Sequence, residues 1–129
     1  MILADTSAWV EFLRGTGSEL DVRLGELLTS DSLATTDVVL MEVLAGARDV
    51  SHRDRLRRLL SRCAFSVTEA PHDFEEAADI ARICRAGGET VRVLGDCLIA
   101  SVAIRCGLPL LHNDADFHAI ARHTPLALA

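Results

Sequence analysis

The chain has 129 residues, a formal net charge of −6 and a composition that is 50% hydrophobic. That length predicts one domain, able to bury roughly two thirds of its unfolded surface without staples. The acid excess argues against a broadly basic nucleic-acid binder, no run of about 18 apolar residues suggests a membrane span, and the opening MILADTS lacks the basic flank of a signal peptide.

In chain order, Met1 to Ala4 is a short apolar strand candidate ending at Asp5. Thr6 or Ser7 can cap a first helix carrying Trp9, Phe12 and Leu13, which Gly15 and Gly17 interrupt. A second helix is expected over Ser18 to Thr29, then a brief extended piece, Leu33 to Thr35. Asp37 is the candidate N-cap of a third helix, Val38 to Ala47, in which Glu42 is the single charge. A fourth helix, Ser51 to Arg62, buries leucines and shows five arginines, Arg55 and Arg58 among them. Ala64 to Val67 is a strand candidate, and a long helix follows Pro71 as far as Gly87-Gly88. Glu89 to Leu94 connects it to a helix opened by Asp96 and apolar on almost every side, as befits a buried helix. After Gly107, Leu108 to Leu111 suits a strand covered on both faces, followed by a short helix over Asp114 to Arg122 and a last strand within Thr124 to Leu128. Strands alternating with helices predict an α/β class with a mostly parallel sheet of four or five short strands flanked by helices. The four cysteines, Cys63, Cys84, Cys97 and Cys106, lack paired short spacings and read as small buried hydrophobes in a reducing cytoplasm.

The chemistry lies in the acids. Ligand sites of such sheets form at the carboxyl ends of the strands. Asp5 ends the first strand, Asp114 follows the strand at Leu108–Leu111, and Asp96 opens the helix feeding that strand. Singly, Asp96, Asp114 and Asp116 could be no more than helix-end acids. Glu42 differs, because a carboxylate alone in an apolar helix must pair, bind metal or reach out to water. Converging acids would repel or protonate unless a cation sat among them. Oxygen donors without a His or Cys cluster suit Mg²⁺ or Mn²⁺. His112, beside the site but isolated, reads as a polar neighbour. The Arg-rich fourth helix, with Arg92 near Asp96, could supply local attraction to RNA or a partner, or be a solvated face.

Taken together, MILADTSAW, VVLMEVLAGAR, GDCLIASVAIRCGLPLL and NDADF resemble, in order and spacing, the PIN domain and in particular the VapC toxins of bacterial toxin–antitoxin pairs. The resemblance covers essentially the whole chain and implies one three-layer PIN domain over residues 1–129. It implies a cytoplasmic, metal-dependent endoribonuclease, hydrolysing RNA phosphodiester bonds with Mg²⁺, for which Mn²⁺ can substitute. Carried across, Asp5, Glu42, Asp96 and Asp114 match the acidic quartet, Asp116 an accessory acid, and Thr6 and Ser7 the hydroxyls that steady Asp5 or a bound water. His112 departs from the Thr or Ser common at its position. The implied partners are a small antitoxin that blocks the acidic site and a second copy in a homodimer, within a toxin–antitoxin hetero-oligomer.

Two other readings keep the fold. One is a catalytically silent partner-binding domain, against which the complete set of acids argues. The other is a Mg²⁺-dependent phosphoryl-transfer protein, which would need a Lys beside the phosphoryl group; the chain has none.

Overall fold

The computed structural model describes residues 1–129. Its elements run β1 (Ile2–Ala4), α1 (Thr6–Arg14), α2 (Glu19–Thr29), β2 (Leu33–Thr35), α3 (Asp37–Ala45), α4 (Val50–Leu60), β3 (Ala64–Phe65), α5 (His72–Ala86), α6 (Leu94–Cys106), β4 (Leu110–Leu111) and α7 (Ala115–His123). The four strands form one parallel sheet in the order β3-β2-β1-β4. Leu3 of β1 pairs with Ala34 on one side and Leu110 on the other. The chain therefore steps outward from β1 to β3 and then returns to the far side of β1. Consecutive connections leave β1 and β4 in opposite directions, which opens a crevice between their carboxyl ends.

Local chemistry accounts for most boundaries. Asp5 caps α1 by accepting from the Ser7 N–H, and Gly15 ends it in the left-handed conformation (φ 60°) that side chains resist. Ser18 caps α2 and Asp49 caps α4. The cap of α3 is Thr36, whose hydroxyl accepts from Val39 N–H, and not the expected Asp37. Asp37 lies one residue inside the helix and instead accepts from the Thr68 N–H and hydroxyl, 3.1 and 2.8 Å away. The strands are shorter than the apolar runs suggest: β3 stops at Phe65 and β4 begins at Leu110. The last strand reduces to one parallel bridge, Leu110↔Leu128.

The core spreads over both sides of the sheet. Leu3, Leu33 and Leu110 are covered by Trp9, Leu24 and Val39 from α1–α3 and by Ile80, Ile99, Phe117 and Ile120 from α5–α7. Helix α6 is buried nearly all round from Asp96 to Ala103, as its sequence predicts. Cys63, Cys84 and Cys97 are buried, but Cys106 is exposed, because α6 emerges at its last turn. No helix is long and apolar enough to cross a membrane.

One polar group in this core escaped the sequence reading. Asp73, 0% exposed, accepts from Ser101 Oγ at 2.9 Å, Arg105 Nε and Nη2 at 3.1 and 2.9 Å, and Glu69 N–H at 2.8 Å. Burial alone would raise its pKa, but the bonds from Arg105, Glu69 and Ser101 outweigh that and hold it below the usual carboxylate range. The network clamps the start of α5 to the end of α6, whose first turn carries Asp96. Removing one member of a buried pair strands the other, so Asp73→Ala is expected to cost about 3 kcal/mol of folding stability. Urea denaturation checks this, and a loss below about 1 kcal/mol would mean that the clamp is not structural.

Candidate metal centre

The parallel sheet brings every strand's carboxyl end to one rim, and the acids gather there. Asp5 follows β1 directly and is 3% exposed. Its Oδ2 accepts from the Ser7 N–H at 2.9 Å and the Ser7 hydroxyl at 2.6 Å. Ser7 Oγ in turn accepts from the Asn113 N–H at 2.8 Å. One hydroxyl thus ties the end of β1 to the loop after β4, across the crevice between them. Glu42, half-buried on α3, accepts from Thr6 Oγ1 at 2.9 Å. Thr6 therefore serves Glu42, while Ser7 serves Asp5.

Asp96 is the third residue of α6 and 7% exposed. It makes no cap, since the N-cap is Val93 and no side chain bonds the helix start. Asp114 caps α7 by accepting from the Asp116 N–H at 2.9 Å. Its own N–H donates to His112 Nδ1 at 3.1 Å, so this imidazole nitrogen carries no proton. His112 thereby braces the turn that delivers Asp114. Asp96, Asp114 and Asp116 each offer an oxygen, all within 4.8 Å of one another.

Electrostatics single out the innermost acids. Burial first, and then the charges of Asp5, Asp114, Asp116 and Glu42, push Asp96 up to about 7. Burial also raises Asp5 against the opposing bonds from Ser7, and raises Glu42 against its bond from Thr6, with a smaller push from Asp5. Burial and the neighbouring His118 lower His112. Asp5 Oδ1 and Asp96 Oδ2 are buried with no hydrogen-bond partner. Orphaned anionic oxygens facing other acids are what a hard divalent cation requires, so the residues fit such an ion.

The basic residues are distributed differently from the acids. Arg92, in the α5–α6 connection, bonds Asp116 Oδ2 and Asp114 Oδ1, a pairing that its position in sequence did not reveal. Arg55 and Arg58 are exposed on α4, and Arg55 bonds Ser51 rather than any acid of the rim. The cations nearer Glu42 are Arg14 and Arg48, which with His52 line a groove of about 390 Å³ that also includes Thr6 and Glu42.

The raised Asp96 carries a pH signature. Between about 4 and 7 the folded, ion-free protein holds a proton that the unfolded chain has released. Stability is thus lost as pH rises through that window, fully so above it. Asp96→Asn removes this loss, so its stability relative to the parent, measured in EDTA, is expected to grow from near zero at pH 4 to about 3 kcal/mol at pH 8. A difference that stays flat across the range would contradict the crowding of acids.

Residues 2–123 match the PIN domain family model. The chain is 45% identical over 131 residues to Ribonuclease VapC11 of Mycobacterium tuberculosis, spanning 100% of this chain and 98% of that protein. Ribonuclease VapC32 of the same species is 31% identical, with 100% and 97% covered. Among solved structures, VapBC2 of Rickettsia felis bound to a promoter DNA fragment superposes with a TM-score of 0.76 at 20% identity, covering 100% of this chain and 98% of that one. With its acids collected at the mouth of a parallel sheet and its whole length matched by VapC proteins, this chain belongs to the PIN domain family, in its VapC branch.

Proposed function

We propose that residues 1–129 form a single Mg²⁺-dependent endoribonuclease domain that acts as the toxin of a toxin–antitoxin pair. The observation that carries the reading is the group Asp96, Asp114 and Asp116, oxygens within 4.8 Å of one another, with Asp5 and Glu42 near enough to act on Asp96 and two buried carboxylate oxygens left without partners. The names of its relatives support it: VapC11 and VapC32 are called ribonucleases. A structural neighbour from Klebsiella pneumoniae is a toxin–antitoxin complex and that from Rickettsia felis is a VapBC assembly, which supports an antitoxin as the partner.

Asp5 and Asp96 would hold the ion directly, with Glu42 and Asp114 completing its surroundings and Asp116 as an accessory. When bound, Mg²⁺, or Mn²⁺ in its place, supplies positive charge against the scissile phosphate and lowers the pKa of water at the site. The protein does the rest. Ser7 holds Asp5 through Oδ2 and so leaves Oδ1 facing inward. Thr6 fixes Glu42 in the same manner. Burial of Asp5 and Asp96 keeps bulk water from competing for the ion. The net negative chain meets RNA through local cations: Arg14 and Arg48 in the groove beside Glu42, Arg92 at the mouth, and Arg55 and Arg58 on α4. The exposed apolar side chains Phe74 and Leu94, flanking a small apolar hollow, suit a contact between two copies.

Asp5→Asn and Asp96→Asn are expected to lower Mg²⁺-dependent cleavage of RNA by at least about 1,000-fold with circular dichroism unchanged. Normal cleavage by both variants would refute the site, and a folded parent that cuts no cellular RNA would favour a silent binding domain. Ion binding must also release the proton that Asp96 holds near neutrality. Affinity for Mg²⁺ is therefore expected to rise between pH 6 and 8 by up to about tenfold per unit, read by calorimetry; a flat profile would show that Asp96 is not a ligand.

A further inference from the structure

Arg92 lies on the two outer acids in an unusual way. Its N–H and its Nε both donate to Asp116 Oδ2 at 3.4 Å, and its Nη2 donates to Asp114 Oδ1 at 3.5 Å. Charge-assisted bonds normally close to about 2.7–2.9 Å. Arg105 on Asp73 does so at 2.9 Å, with a side chain only 24% exposed. The Arg92 side chain is 72% exposed, on a connection without regular structure, so little packing holds it in place. It spans the same two carboxylates that, with Asp96, come within 4.8 Å of one another. The inner oxygens, Asp5 Oδ1 and Asp96 Oδ2, receive nothing from it.

We propose that Arg92 is a resident counter-cation of the acid site, which a divalent ion must displace from Asp114 and Asp116 in order to bind. The inference rests on the metal-dependent reading above and adds a competition to it. Without an ion, the guanidinium offsets the outer charges. With the ion bound, the outer carboxylates would turn to it and the connection at residues 90–93 would lose its tie to Asp116, while Glu89 stays held by Arg122 and His123. Ion loading and loosening of this connection are then one event. The opposite role is a scaffold: an Arg that holds the acids in place for the ion. The two roles predict opposite signs.

The test is calorimetric titration of the RNA-free protein with MnCl₂, comparing the parent with Arg92→Gln and Arg92→Lys. Arg92 is exposed and outside the helices, so both variants should fold. Displacement predicts that Arg92→Gln binds Mn²⁺ about tenfold more tightly, the order expected on removing one charge a few ångströms from the ion. It predicts that Arg92→Lys, which keeps the charge, stays near the parent. It also predicts faster amide hydrogen exchange over residues 90–93 when Mn²⁺ is added to the parent. Unchanged or weaker binding by Arg92→Gln would overturn the displacement while leaving the metal site standing. Failure of the parent itself to bind Mn²⁺ would instead overturn the metal-dependent reading, and this inference with it.

Discussion

The structure turns on an unresolved electrostatic tension at the rim of the sheet. Asp5 and Asp96 are carried there by a strand end and a buried helix start, and neither can retreat to water. Each keeps a buried oxygen with no donor. An arrangement of that kind costs several kcal/mol if both acids are charged. The ion-free protein limits the cost by holding a proton on Asp96 and placing Arg92 over the outer pair. An ion would remove the need for both. Another carboxylate at that depth is satisfied, Asp73 by four bonds, although Trp9 Nε1 and Thr35 Oγ1 also lack partners.

Strand order decides where that tension falls. Because β4 joins the sheet on the far side of β1, the loop after β4 comes to lie beside Asp5, where Ser7 Oγ takes the N–H of Asn113, 106 residues further along the chain. With β4 at the opposite edge, next to β3, the same residues would hold two separate pairs of acids. Sheet order thus converts a scattered set of side chains into a site.

Much of this was legible before the structure. Alternating apolar runs and capping residues gave the elements, and the all-round apolar character of α6 placed it in the core with Asp96 at its mouth. Glu42 stood out because no neighbour on its helix could share its charge. What remained hidden was pairing over distance. Strand order leaves no local trace in such short segments, so the crevice between β1 and β4 could only be inferred by analogy. Arg92 looked like a generic basic residue, since nothing nearby in sequence indicates that it turns toward Asp114 and Asp116. The one sequence clue to Asp73 is Arg105, the single cation on α6, whose charge, like that of Glu42, needs a partner. Asp37 does not cap α3 because its carboxylate is taken by Thr68, and Thr36, one residue earlier, supplies the cap.

The acids are unequal in what else they hold up. Asp5 and Asp114 each close the first turn of a helix, so a lineage that lost either would forfeit local order together with chemistry. Asp96 caps nothing, and its loss relieves crowding. Descendants of such a protein that abandoned catalysis but kept their binding partner would thus find the cheapest exit at Asp96. Decay of this fold into a non-enzymatic relative should begin on α6 and reach the strand ends last.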